Sequence, residues 1–307
     1  MASGRDAGAS GRSLGAATGA LVRHLLGHRM GTRAFAACVD PPHHHDPRPP
    51  MPALPRARLA LAALALTLAG CATLGGANYY SVGQEWEMGQ QLQAQLRQQL
   101  RLSNDQALNR YISDMGQAMV NQTNMRNQPW RFYVVQDDAI NAFNIPGGAV
   151  YVNTGLIANA GSASELAGAI AHEVGHGVAR HGTARLSKAQ ETNAIAGAVL
   201  GRAGGVEQIA AQVAAQGAFA KFSRDDEREA DRLGVDIMAG AGYDPDGLAA
   251  LLQRLAEQER GGGIGFLRSH PLSGDRMATV RQLAGRYDGQ RLRSDDGQFA
   301  AMRRRAR

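Results

Sequence analysis

Cysteine is nearly absent from this chain: only Cys38 and Cys71 occur among 307 residues, and none follows position 71. Whatever folds beyond that point has no disulfide and must be held by its core alone. No apolar run reaches membrane length either. The longest, Leu59 to Leu68, is too short for a span, and the Ala- and Gly-rich stretch 185–220 is broken by Arg202, Gly204-Gly205 and Glu207. Net charge is also missing once the first 71 residues are set aside. They hold 8 of 33 Lys+Arg and 3 of 27 Asp+Glu, leaving 25 against 24, so the high overall charge offers no footprint for nucleic acid. No internal repeat of solenoid length is visible.

Residues 1–50 carry Ala, Gly, Arg and Pro without apolar periodicity and read as a spurious or disordered N-terminal extension. Residues 51–70 differ: Met51, then Arg56 and Arg58, then the short apolar run, then Leu68-Ala69-Gly70-Cys71. A charged start, a secretory-length apolar core and small residues before a cleavage point describe a signal peptide. The Leu-Ala-Gly-Cys ending resembles a bacterial lipobox, which implies lipidation at Cys71 and a true start at Met51. Residues 71–104 then hold the lipidated Cys, a tether and an N-terminal helix.

Beyond the tether, polar helical patterns cover 83–101 and 104–122, the second with Leu108, Tyr111, Ile112, Met115 and Met119 at helical spacing. Trp130–Val135 and Gly148–Asn153 read as strands, and Asn144-Ile145-Pro146-Gly147-Gly148 between them as a turn. Helical patterns follow over 163–180, 224–240, 246–259 and 274–286, with Ser162 or Ser164 as the N-cap of the first and Gly261-Gly262-Gly263 as a flexible joint. Strands precede the main helices instead of alternating with them, so the expected class is α+β, mostly helical with a small sheet. The catalytic domain is expected over 105–290, and 291–307 as a basic disordered tail.

Five of nine histidines lie in the first 71 residues. Of the four that remain, three fall within ten residues: His172, His176 and His181, with His270 apart. His172-Glu173-Val174-Gly175-His176 sits in a helical window. Two His four apart share one helix face, about 5–6 Å between Cβ atoms, so both imidazoles can reach one tetrahedral Zn²⁺. Glu173 then points beside the metal, where it can accept the proton of an attacking water and pass it to a leaving amine. Zinc needs a third protein ligand. The metzincin spacing puts Gly182 where its His would be, with His181 off by one, so His181 reads as a helix C-terminal residue interacting with the dipole. Glu227 and Asp231, four apart on the next strong helix, are better placed: Glu227 as ligand, Asp231 as acceptor for the outer N–H of a ligand His. Helical projection leaves Asp226 as a rival for Glu227.

Together with these motifs, Asn141-Ala142-Phe143, Pro146-Gly147-Gly148, Ser223-Arg224 and Ser269-His270-Pro271-Leu272 before Arg276 make the chain similar to the gluzincin peptidases related to HtpX and the CAAX prenyl proteases, in their soluble bacterial lipoprotein branch. The resemblance implies one Zn²⁺ per chain, with His172, His176 and Glu227 as ligands, Glu173 as the catalytic carboxylate and Asp231 behind a ligand His. Without membrane helices, prenylated or membrane-embedded substrates are not expected, nor are the partner-docking roles of members with a helical-repeat domain.

For the oxyanion, His270 is the foremost donor, with Tyr151 and Tyr243 as rivals; alternatively, His270 closes the site as a fourth ligand. The strand with Gly148, Ala149, Val150 and Tyr151 is expected to be the sheet edge on which an extended substrate adds. The functional expectation is a periplasmic endopeptidase acting on unfolded or misfolded envelope proteins. Lipid would anchor it to the inner leaflet of the outer membrane, its sole membrane attachment. A non-catalytic chaperone or assembly factor with a structural metal site is the alternative from another class, and a cell-wall hydrolase ranks below it.

Overall fold

The computed structural model describes residues 78–189, 221–259 and 265–307. The proposed leader, Cys71, the span 190–220 and the Gly261-Gly262-Gly263 joint lie outside the described residues. Two helices open the described chain, α1 (Val82–Gln99) and α2 (Gln106–Val120). Each starts on a side-chain cap: Ser81 forms a capping box with Gln84, and Asp105 accepts from the amides of Ala107 and Leu108.

Three strands follow: β1 (Arg131–Val135), β2 (Ala142–Ile145) and β3 (Ala149–Asn153). Their order is β1-β3-β2, with β3 parallel to β1 and antiparallel to β2. Alternate residues face opposite ways. Phe132, Val134, Ala142, Val150 and Val152 join the large core under α2, whereas Val135, Phe143, Ile145, Ala149 and Tyr151 pack with Met88, Leu92 and Leu96 of α1.

The topology corrects the expected edge. β3 is the middle strand, paired along both sides and buried throughout, so Gly148, Ala149, Val150 and Tyr151 offer no free edge. The missed strand is β2. Asn144 and Ile145 read as turn residues, yet they pair with Val150 and Ala149. The chain reverses later, at Gly147 and Gly148 with φ of 84° and 71°, a left-handed geometry that favours glycine.

After the short α3 (Thr154–Asn159) comes α4 (Ala163–Val178), capped by Ser162 and buried from Ala163 through Gly177. It packs most extensively on α5 (Arg224–Gly240) and then on α6 (Asp246–Glu259). The approach to α5 is close because position 175 has no side chain: a Cβ there would stand 2.8 Å from the Ala230 carbonyl oxygen. The fold closes with α7 (Gly265–Ser269), α8 (Arg276–Ala284) running into a 3₁₀ turn, and α9 (Phe299–Arg305).

The tail expected to be disordered therefore carries a helix. Its basic composition hid two anchors. Asp296 accepts from the amides of Gln298 and Phe299 and from the Tyr111 hydroxyl, and Phe299 is buried in the large core. Among the described residues no helix is long and apolar enough to cross a membrane.

The α4–α5 contact yields a first prediction. Gly175→Ala should push the helices apart, at a cost of about 1–3 kcal/mol for overpacking. A lowered thermal midpoint, together with weaker zinc retention, is the expected measurement; an unchanged midpoint would mean that the contact is slack.

Candidate metal centre

α4 supplies His172, Glu173 and His176, the first turn of α5 supplies Glu227, and the residue just after α7 is His270. All five are buried, each at 1% exposure or less. One donor atom from each of His172, His176, Glu227 and His270 lies within 4.8 Å of all the others. His172 Nε2 stands 3.1 Å from His176 Nε2 and 3.2 Å from His270 Nδ1. Glu227 Oε1 is 3.4 Å from His176 Nε2 and 2.9 Å from His270 Nδ1. Ligands at 2.0–2.1 Å around a tetrahedral zinc are about 3.3–3.4 Å from one another. The donors therefore fit one such ion, and their type, imidazole plus carboxylate, suits zinc.

The capping chemistry of α5 separates Glu227 from its rival. Ser223 Oγ accepts from the Asp226 amide, and Asp226 Oδ2 accepts from the Ser223 amide. Asp226 is thus spent on a capping box at the helix start, while Glu227 turns inward beneath α4. One turn on, Asp231 Oδ1 lies 3.0 Å from His172 Nδ1, the nitrogen facing away from the cluster.

Sequence reasoning assigned no role to Arg276, although it stood six residues beyond His270 in the family pattern. Its guanidinium, 1% exposed, grips both oxygens of Asp231 at 2.7 and 2.8 Å and Glu227 Oε2 at 2.6 Å. A bidentate, always-charged partner lets buried carboxylates stay ionised. His181 also differs from expectation. Instead of ending a helix, it begins the helical residues 181–189, with its Nδ1 2.8 Å from His176 Nδ1. The aromatic rivals for the oxyanion lie elsewhere. Tyr151 is sandwiched between Tyr133 and Phe143 in the layer under α1. Tyr243 follows the far end of α5, roughly 20 Å of helix from Glu227, beneath the Arg293 guanidinium.

Glu173 has one oxygen, Oε2, accepting from the Asn144 amide of β2 at 3.0 Å, and the other, Oε1, 3.2 Å from His270 Nε2. Burial raises its pKa, against the pull of His270 and His172, the direction a proton acceptor working near neutrality needs. Burial opposes ionisation of Glu227 and Asp231 too. The imidazoles around Glu227, and His172 with Arg276 around Asp231, nonetheless hold both below the usual carboxylate range. Burial also disfavours a charged His172, but Asp231 and Glu227 outweigh it and carry the pKa up to about 9. His176 goes the other way, well below its ordinary value, through burial despite Glu227.

These directions set the pH dependence of the metal-free protein. His172 is raised from 6.5 to about 9, so its contribution is complete below pH 6.5 and disappears as pH climbs through 9. The difference is worth about 3 kcal/mol. Glu227 and Asp231 are lowered, so theirs is present above pH 3.8–4.5 and lost in stronger acid. Urea unfolding of chelator-treated protein should show stability declining from pH 6.5 to 9.5 and again below pH 4. A profile flat across the alkaline interval would contradict the His172 pairing.

Residues 106–284 match peptidase family M48. The chain is 31% identical to the beta-barrel assembly-enhancing protease of Escherichia coli O157:H7 over 258 residues, covering 80% of this chain and 53% of that one. It is 30% identical to the mitochondrial metalloendopeptidase OMA1 of Schizosaccharomyces pombe, covering 60% and 56%. It is also 30% identical to the metalloprotease LoiP of Escherichia coli K12, covering 52% and 64%. The chain thus spans about half the length of the first of these relatives. The matched interval contains His172, Glu173, His176, Glu227, Asp231, His270 and Arg276, the whole of the constellation just described. In agreement with the motif resemblance, the chain belongs to peptidase family M48, the zinc metallopeptidases.

Proposed function

We propose that the protein is a lipid-anchored zinc endopeptidase of the periplasm that cleaves unfolded or misassembled envelope proteins. The observation that carries the enzymatic part is the placement of Glu173 beside the zinc donors, held from behind by the Asn144 amide. A purely structural zinc site has no use for a buried carboxylate of raised pKa at that point. Zinc, when bound, supplies Lewis acidity for polarising a peptide carbonyl and acidifying water. Glu173 takes the proton of the attacking water and delivers it to the leaving nitrogen, and Asp231 with Arg276 keeps His172 and Glu227 oriented.

Substrate alignment falls to β2. Among the described residues no strand pairs with its side away from β3, and Asn144 ties that strand to Glu173. An extended chain adding there would meet the general base through backbone contacts, a mode that reads shape over sequence and suits unfolded substrates. The envelope location is supported by the Leu-Ala-Gly-Cys71 ending and by the beta-barrel assembly in the name of one bacterial relative. Lipid at Cys71, with more than one acyl chain, would suffice for stable attachment.

His270 completes the donor set. With all four side chains holding zinc no position would be left open, as in a closed zinc site, and His270 Nε2 at the same time lies 3.2 Å from Glu173 Oε1. On this reading His270 is the resting-state ligand, which would swing away before water and substrate enter.

Two measurements test these roles. Casein should be digested by the purified protein and spared by Glu173→Ala and by chelator-treated enzyme, with losses of at least about a hundredfold for a general base. Equal digestion by all three would end the peptidase reading and leave the chaperone alternative. His270→Ala should raise casein turnover several-fold while zinc remains bound; a fall in turnover would instead make His270 a transition-state donor.

A further inference from the structure

The two α4 histidines are held from outside in different ways. His172 turns Nδ1 to a carboxylate, Asp231. His176 has no carboxylate behind it. Its Nε2 faces the cluster, and its Nδ1 lies 2.8 Å from Nδ1 of another imidazole, His181. His181 is 5% exposed, and its own Nε2 is 3.4 Å from Glu229 Oε2 and 3.9 Å from Asp226 Oδ1.

Tautomer chemistry gives this chain one direction. An imidazole that offers its Nε2 lone pair to a metal carries its hydrogen on Nδ1. For His176 that hydrogen points at His181 Nδ1, which must then be the bare, accepting nitrogen. The hydrogen of His181 is left on Nε2, where Glu229 Oε2 at 3.4 Å is the acceptor. Every hydrogen in the series has a recipient, and each donation runs outward from the cluster to the surface carboxylate of Glu229.

The backbone is bent to put His181 there. Arg180 has φ of 59°, the sole non-glycine residue at positive φ among the described residues, a conformation of the kind that persists only when its surroundings enforce it. The enforcement is visible. The Arg180 guanidinium pairs with Glu85 of α1 at 2.6 Å and with the Tyr80 carbonyl, and Thr183 donates to the same carboxylate at 3.1 Å. This reversal ends α4 and swings residue 181 back against His176. Phe222 stacks on the face of His176, its ring centroid 4.0 Å away, while His181 meets the ring edge-on, so the ring is held both by face and by edge.

We propose that His181 is a positioning residue of the zinc centre: as the acceptor for His176 Nδ1–H, it fixes the tautomer and ring orientation that present Nε2 to the metal. This inference rests on the reading of the cluster as a zinc site, and its test keeps the two apart. It assigns His181 neither to the ligands nor to the reacting atoms.

The experiment is zinc competition against a chromogenic chelator with the full chain, in the parent protein and two variants. His181→Asn keeps an acceptor near the place of Nδ1, and His181→Leu keeps bulk without one. His181→Leu should bind zinc about 10- to 100-fold more weakly, the usual effect of losing such an outer partner, while His181→Asn should stay within about threefold of the parent. Equal affinities for all three proteins, or equal losses in both variants, would overturn the proposal. Should His181→Leu fail to fold, nitrogen-15 NMR of the zinc-loaded parent decides alone. A hydrogen on Nδ1 of His176, protected from exchange, supports the proposal, and a bare His176 Nδ1 overturns it. If the parent itself takes up no stoichiometric zinc, the metal reading fails first and this one with it.

Discussion

Arg276 makes the centre possible. Glu227 and Asp231 lie one turn apart on α5, nearly inaccessible to water, and taking a carboxylate out of water costs several kcal/mol unless a partner replaces its hydration. One guanidinium serves both: it chelates Asp231 and touches Glu227, and its own charge is never titrated away. Asp231 can then face His172, and Glu227 can turn its other oxygen to the imidazoles. In the metal-free site, removing the arginine would leave two negative charges buried with nothing permanently positive beside them. The position of α8, which begins at Arg276, is in this sense part of the site.

The second requirement is close approach. The donors come from α4, from the first turn of α5 and from the end of α7, and short distances between them need the helices nearly in contact. Glycine on α4 provides that. Gly175 lets the Ala230 backbone of α5 settle against the turn between the two ligand histidines, and Gly168 does the same for Leu248 of α6, where a Cβ would stand 2.8 Å from the Leu248 Cα. Gly168 and Gly175 are therefore distance-setting, while Leu166, Ile170 and Val174 of the same helix fill the core. The stability of that helix comes from neighbours on all sides.

Around this frame, the two sides of the cluster do different work. Toward β2, Glu173 is fixed by a backbone amide, which cannot titrate or rotate away. Toward α7, it meets His270, a side chain next to the short helix Gly265–Ser269. A rigid amide on one side, and on the other an imidazole whose second nitrogen joins the donor cluster, hold Glu173 from two directions.

Much of this was legible before any coordinates. The His pair four residues apart, the carboxylate inside it, and a second helix with acidic residues four apart follow from helix periodicity alone, as do the α+β class and the boundaries of α5 and α6. What periodicity could not decide was partnership. Helical projection left Asp226 as a rival to Glu227 and the family resemblance favoured Glu227; the Ser223 capping box, a matter of local backbone geometry, shows what occupies Asp226 instead. β2 was hidden because four residues beside a Pro-Gly-Gly turn show no period, and its pairing, which moved the sheet edge away from Gly148–Tyr151, is a non-local hydrogen-bond pattern. The tail differs from expectation because basic composition says nothing of one buried Phe299 and of Asp296, which accepts from two backbone amides and the Tyr111 hydroxyl. His181, Arg276 and His270 come to the site from a strained turn and from residues a hundred positions away. Sequence determines which side chains can bind a metal or move a proton, since that is their covalent chemistry. Which of them meet, and which charge answers which, is decided by packing, because contact distance depends on the neighbours the whole chain brings together.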